Sequence, residues 1–363
     1  MPLAGRLLNL LGQPVAASVL RSTVPRSART TAYTVPRDIA EAGKVLIMLP
    51  AEPLDALHQL TTIISLIAHF RHASVDLFCA PAIVPYAGTI QGVGRLIECG
   101  NISDHPLSAS MKRTAAGLRD AGYDVCVVLD RSAGPSLLWL AGQTGARIRA
   151  GFDACGAYPF INFRVRLSGR PLYRPDQNLF VARMLGAAPK QNSRWGVSKV
   201  AIEEAGRLLI EAGMAADAPL ACFDGFSFCR RHGPEWTGAQ MRRLSALGLS
   251  MCWLTTENAA PDEPTVALLR KERVPAFAGI PVAHAAALAR RARVVIAGKS
   301  SLFEIAHLLD APAIGIFDAW EAAAYCPSSA RIRCICYDGA PDATTIEAVA
   351  AAVGPLSAVR SRY

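Results

Sequence analysis

The 363-residue sequence lacks most of the short patterns that announce a chemistry. It has no C-x-x-C, H-E-x-x-H or G-x-S-x-G, so nothing points to a zinc ribbon, a zincin-type metal site or a nucleophile-elbow hydrolase. No G-x-G-x-x-G follows the first strand; Gly92 and Gly94 form a bare G-x-G, which excludes the dinucleotide fingerprint. Gly298-Lys299-Ser300 contains the G-K-S of a phosphate-binding loop. Arg293 stands where that loop needs its first glycine, so a Walker A site is excluded too. Long apolar runs are also missing. The longest, Leu60 to Ala68, is broken by Thr61, Thr62 and Ser65 and is too short to span a bilayer.

What is present is a globular composition. Hydrophobic residues make up 52% of the chain, with 28 Gly and 24 Pro, enough for two buried cores and unlike a disordered chain. The formal charge is +9. An arginine-rich proteome explains that balance as well as an anionic partner does. Nucleic acid is not expected, because no zinc-finger spacing, RNP-type aromatic motif or basic run occurs. The ten cysteines are expected to be reduced and packed, with Cys79, Cys126, Cys222 and Cys252 inside apolar strands. Cys334 and Cys336 share one strand face and cannot form a four-ligand site alone.

Residues 1–43 form a basic N-terminal extension. Its first 37 residues carry Arg6, Arg21, Arg26, Arg29 and Arg37 and no acidic side chain. Leu3, Leu7, Leu8, Leu10, Leu11 and Val15 fall roughly on one helical stripe. A disordered tail, a basic amphipathic helix on an anionic membrane and an organelle transit peptide are its three readings.

From Lys44 onward, strands and helices alternate. Expected strands are Val45–Leu49, Val75–Cys79, Arg95–Cys99, Val125–Leu129 and Arg147–Gly151 in the first half. In the second half they are Leu220–Phe223, Ser250–Leu254, Val274–Ala278, Val294–Ala297, Ala313–Phe317 and Ile332–Cys336. Helices between them, such as Leu54–Phe70, Gly238–Ala246 and Val282–Arg290, imply parallel sheets covered on both faces. The expected architecture is α/β, with two Rossmann-like doubly wound domains facing across a cleft. Residues 44–188 form the first domain, 189–199 a linker, and 200–363 the second with a closing C-terminal helix.

The stretch Val294 to Phe317 is the richest in information. An apolar strand runs into Gly298, Lys299, Ser300 and Ser301, and then into a helix expected over Leu302–Leu309. A helix N-terminus presents unpaired amides and the positive end of the helix dipole, so hydroxyls and a cation there suit phosphate. Ligands of open parallel sheets sit at such turns. In the first half, Asp55 lies in the first turn of a helix after the first strand. It is either a dipole partner or a functional carboxylate.

Several segments resemble glycosyltransferase family 9, the heptosyltransferases of lipopolysaccharide core assembly. Leu54-Asp55-Ala56-Leu57 occupies the place of the family's G-D-v-(l/v) element. Tyr123 to Asp130 resembles its Y-D-x-x-(I/V)-D-(L/F) strand, and Arg147 to Phe152 its R-I-G-(F/Y) strand. Asn178-Leu179 through Leu185-Gly186 resembles the helix closing the first domain. Gly298 to Pro312 aligns with the D-(S/T)-G-x-x-H signature. There Lys299 replaces Asp, Ser301 replaces Gly, Glu304 replaces His, and His307 stands for a small residue. The likeness covers about residues 44–340.

The resemblance implies the GT-B fold, a cytoplasmic enzyme and an inverting transfer of a heptose-like sugar from a nucleotide diphosphate sugar. Asp55 would be the general base. Lys299, Ser300, Ser301, Glu304 and Arg230 or Arg231 would hold the donor. No cofactor or metal is implied: the chain has no D-x-D of the kind that metal-dependent glycosyltransferases use. The acceptor would be an acidic glycolipid or other cell-surface glycan, with peripheral contact at the cytoplasmic membrane face. A GT-B protein that only binds a nucleotide or glycan, and a nucleotide-sugar epimerase, are the alternatives.

Overall fold

The computed structural model describes residues 20, 22–25, 32–100, 106, 108–154, 157–167, 173–190, 195–215, 217–256, 261–339 and 343–358. The chain divides into two compact units, one of Met1–Arg170 with Pro175–Asn192, the other of Pro171–Arg174 with Ser193–Tyr363.

The first unit holds α1 (Arg37–Ala40), β1 (Lys44–Met48), α2 (Pro53–Leu57), α3 (Leu60–His69), β2 (Ser74–Cys79), α4 (Val84–Ala87), β3 (Leu96–Glu98), α5 (Ala109–Asp120), β4 (Val125–Val128), α6 (Pro135–Gln143), β5 (Ile148–Phe152), β6 (Phe163–Val165) and α7 (Arg174–Met184). Its sheet is parallel throughout, in the order β3-β2-β1-β4-β5-β6. That order reverses direction between β1 and β4. The central strands are apolar at nearly every position because helices cover both faces, and Val45 to Met48 and Val125 to Val127 are fully buried.

The second unit holds α8 (Lys199–Glu211), β7 (Leu220–Phe223), α9 (Gly225–Ala246), β8 (Ser250–Leu254), α10 (Glu263–Lys271), β9 (Ala276–Phe277), α11 (Val282–Arg291), β10 (Val294–Ala297), α12 (Ser301–Leu308), β11 (Ala313–Asp318), α13 (Ala319–Tyr325), β12 (Ile332–Tyr337) and α14 (Ala343–Ala358). Its parallel sheet has the same order, β12-β11-β10-β7-β8-β9, and reverses between β7 and β10. Two doubly wound α/β units are therefore present, as the strand–helix alternation implied.

Several expectations need correction. The helix read over Leu54–Phe70 is two helices, because His58 and Gln59 turn the chain between α2 and α3, and Asn178 Nδ2 donates to the His58 carbonyl at 3.3 Å. The helix read over Gly238–Ala246 starts at Gly225 and kinks at Gly233, whose φ of 80° precedes Pro234. β6, three residues at a sheet edge, was not expected. The cysteines are not all reduced: Cys326, closing α13, and Cys334 in β12 form a disulfide. An eight-residue separation brings their Cα atoms to 6.2 Å. Parts of the N-terminal stretch read as an extension are packed into the first unit. Leu20 and Val24 join its core, and Trp139 Nε1 donates to Thr23 Oγ1 at 2.9 Å. Among the described residues, no helix is long and apolar enough to cross a membrane.

Candidate functional site

Each sheet reverses its winding once, and the loops leaving the strands at that point are where a doubly wound fold holds ligands. In the first unit these are the loops after β1 and β4. Asp55 lies in the first turn of α2, behind Pro53, which begins the helix at no loss of a hydrogen bond. Its side chain is 47% exposed, and Oδ1 lies 3.8 Å from Nδ1 of the buried His58. The Leu129 amide donates to the Met48 carbonyl at 3.0 Å, which sets Asp130 beside the end of β1. Asp130 accepts the Ser132 amide at 2.8 Å. Burial first, and the charge of Asp55 after it, raise the Asp130 carboxyl above its ordinary value against the pull of the Ser132 amide. Arg131 donates to Gln177 of α7 and lies 5.9 Å from the Phe152 ring centre. Sequence reasoning had only Asp55 here. Asp130 stood inside the Tyr123–Asp130 motif with no role assigned.

In the second unit the reversal lies between β7 and β10. The Asp224 amide donates to the Ile296 carbonyl at 2.9 Å, so the chain leaves the two strands side by side. Lys299, Ser300, Ser301 and Glu304 are brought together at the start of α12. Ser300 is the N-cap: its backbone is extended and its hydroxyl accepts the Phe303 amide at 3.4 Å. The amides of Ser301 and Leu302 have no acceptor among the described residues. Ser301 and Glu304 are buried. Glu304 Oε1 lies 3.4 Å from His307 Nδ1, and the same nitrogen lies 2.9 Å from the Tyr173 hydroxyl. Lys299 Nζ stands 5.1 Å from the centre of the Tyr325 ring.

Of the two arginines that the sequence offered as donor cations, Arg231 has a described side chain, and it is engaged by carboxylates. Arg231 donates to Glu321 at 2.5 Å and to Asp318 at 2.7 Å, with its guanidinium 5.8 Å from the Tyr337 ring centre. Two carboxylates thus compensate its charge. The side chain of Arg230 lies outside the described residues. Behind Arg231, His232 packs against Trp236 and Tyr337, with ring centres at 5.0 and 5.2 Å. Burial, then the neighbouring guanidinium, pushes its imidazole down to about 4.

No protein-family model and no curated protein matches this sequence. The fold has clear counterparts among solved structures. A glycosyl transferase family 9 protein from Veillonella parvula superposes with a TM-score of 0.74 at 14% identity, over 88% of this chain and 98% of that one. The E. coli ADP-heptose lps heptosyltransferase II superposes at 0.71 and 16% identity, over 87% and 98%. A UDP-GlcNAc 2-epimerase from Methanocaldococcus jannaschii fits less well, at 0.51 and 10% identity over 88% and 94%. The chain therefore has the fold of the family 9 glycosyltransferases and heptosyltransferases.

Proposed function

We propose that this protein is a glycosyltransferase. It moves a heptose-like sugar from a nucleotide diphosphate sugar to an acidic acceptor, a lipopolysaccharide or another cell-surface glycan. The observation that carries this reading is the β10–α12 turn. Two amides without an acceptor among the described residues, the start of a helix dipole and Lys299 converge where the sheet reverses. That arrangement suits a diphosphate. The fold match to an ADP-heptose enzyme favours this donor class over the epimerase alternative, whose fold match is weaker.

In the first unit, the half-exposed Asp55 is the general base. It takes the proton from the acceptor hydroxyl as that oxygen attacks the anomeric carbon. The bond from that carbon to the diphosphate breaks on the opposite side, so configuration inverts. The negative charge released onto the diphosphate is met by the Ser301 and Leu302 amides and by Lys299. No step requires a metal, in keeping with a sequence free of D-x-D. An acidic acceptor, met at an anionic membrane face in the cytoplasm, completes the proposal, and the formal charge of +9 is compatible with it. A second reading, nucleotide binding without transfer, is favoured by one observation: Glu304 is buried against His307 rather than open to a ligand.

The test is release of nucleoside diphosphate from a panel of ADP-, GDP- and UDP-sugars in the presence of lipopolysaccharide acceptor. Wild-type protein should turn over at least one donor. Asp55→Asn should lower kcat by about 10²- to 10⁴-fold with an unchanged unfolding transition. Binding of a donor without turnover would establish the second reading, and full activity in Asp55→Asn would remove Asp55 from the mechanism.

A further inference from the structure

Two cations of the second unit share one aromatic ring. Lys299 Nζ lies 5.1 Å from the ring centre of Tyr325, and the Arg174 guanidinium carbon lies 5.8 Å from the same centre. The ring belongs to the last residue of α13 and is itself buried. Neither cation has a carboxylate partner among the described residues. The contrast is with Arg231 of the same unit, which two carboxylates neutralise.

Arg174 does not arrive by chance. Pro171–Arg174 belongs to the second unit although the helix that follows belongs to the first. Tyr173 fastens the segment to α12: its hydroxyl lies 2.9 Å from His307 Nδ1, and the two rings meet edge to face at 5.8 Å. His307 stands on α12, the helix whose first turn follows Lys299. One aromatic contact thus locks the segment, and the next residue delivers a guanidinium to the ring that already carries Lys299.

Two like charges on one ring repel each other and divide its attraction. The arrangement becomes favourable when an anion of more than one charge lies between them. A guanidinium also offers a planar fork that an ammonium lacks, so the pair provides one bidentate and one point contact. We propose that Arg174 and Lys299 form a two-cation clamp for the diphosphate of the nucleotide donor, with Tyr325 as its platform and Tyr173–His307 as its anchor. The proposal rests on the donor reading above and adds a residue from outside the β10–α12 turn. Arg174 takes the role that Arg230 or Arg231 was expected to fill. The clamp is expected to favour diphosphates over monophosphates, because a diphosphate offers a separate phosphoryl group to each cation.

Titration calorimetry at low salt with ADP, GDP, UDP and AMP tests this. The proteins are wild type, Arg174→Ala, Arg174→Lys, Lys299→Ala, Tyr173→Phe and, as a net-charge control, Arg290→Ala on the exposed side of α11. Wild type should bind at least one nucleoside diphosphate more tightly than AMP. Arg174→Ala and Lys299→Ala should each weaken that binding by about 10- to 100-fold. Arg174→Lys should recover part of the loss, Tyr173→Phe should show a smaller loss, and Arg290→Ala none. AMP binding should hardly change in any of them. Should Arg174→Ala fail to fold, Arg174→Lys and Tyr173→Phe carry the same comparison. Diphosphate binding that is intact in Arg174→Ala, or in both substitutes, overturns the clamp and leaves the donor reading standing. Wild-type protein that binds none of the four nucleotides overturns both.

Discussion

Gly315→Ala adds one methyl group to β11 and should disturb both stability and the donor turn. Gly315 does not have a positive φ, so the backbone accepts alanine. Space is the obstacle. A Cβ there would lie 2.4 Å from Phe317 Cε2 and 2.8 and 2.9 Å from two ring atoms of Phe303. The two phenylalanines are buried and packed edge to face at 5.1 Å, so neither can swing away freely. Overpacking of this kind destabilises by about 1–3 kcal/mol. In a unit of this size each kcal/mol lowers the unfolding midpoint by about 2–4 °C. Phe303 is also the residue whose amide donates to the Ser300 hydroxyl, so displacing its ring loosens the N-cap and the Ser301–Leu302 amides. Nucleoside diphosphate binding should weaken along with stability. Gly206→Ala is the counterpart. Gly206 lies inside α8 with nothing within 4 Å of the added Cβ, so the same change should stabilise by about 0.5–1 kcal/mol. Scanning calorimetry and urea unfolding of the three proteins give the comparison. A Gly315→Ala protein as stable as wild type would refute the packing described around α12 and β11.

Two further outcomes follow from buried polar groups. His232 is held neutral in the folded state, down to about 4, while the unfolded chain takes up its proton near 6.5. Stability at this residue is therefore present above about pH 6.5 and is lost as pH falls towards 4. Discounted for partial exposure, the loss is about 1–3 kcal/mol. His232→Phe should flatten that acid slope in urea titrations run from pH 7 to 4. Asp76 is buried in the first unit. It accepts Arg95 Nη2 at 2.7 Å, the Arg95 amide at 3.0 Å and the Tyr123 hydroxyl at 2.8 Å. Asp76→Ala should destabilise by about 2–3 kcal/mol by leaving the Tyr123 hydroxyl, which still accepts Arg95 Nη2 at 3.3 Å, with no acceptor for its own proton, read as a lower urea midpoint.

How much of this could be seen in the sequence depends on how locally each feature is encoded. β1, β4 and β10 were legible because a strand covered on both faces must be apolar at consecutive positions. β9 and β6 were not, or only loosely, because two or three residues at a sheet edge show no period. The Gly233–Pro234 kink lay inside a polar stretch that hid the first half of α9. The resemblance motifs carried fold more than chemistry. Tyr123 and Asp124 proved structural: the first bonds Asp76, and the second accepts the amides of Gly43 and Lys44 at 2.8 and 2.9 Å. Arg149 is likewise buried, with its guanidinium on the carbonyls of Phe160, Ala146 and Pro159. The start of α12 was legible to within one residue, expected at Leu302 and found at Ser301, because small polar residues after an apolar strand mark a helix start; that Ser300 caps it was not read from the sequence. Arg174 and Tyr325 were not, since a cation over a ring from a distant segment leaves no spacing to read.

Hydrogen–deuterium exchange with and without ADP- and UDP-sugars tests the central claim most directly, because it reports which amides a donor covers. At least one donor should slow exchange in peptides spanning Lys299 to Phe303, with smaller protection over Tyr173–Arg174. Exchange there that no donor changes, or protection confined to the first unit, would contradict the assignment of the donor to the β10–α12 turn.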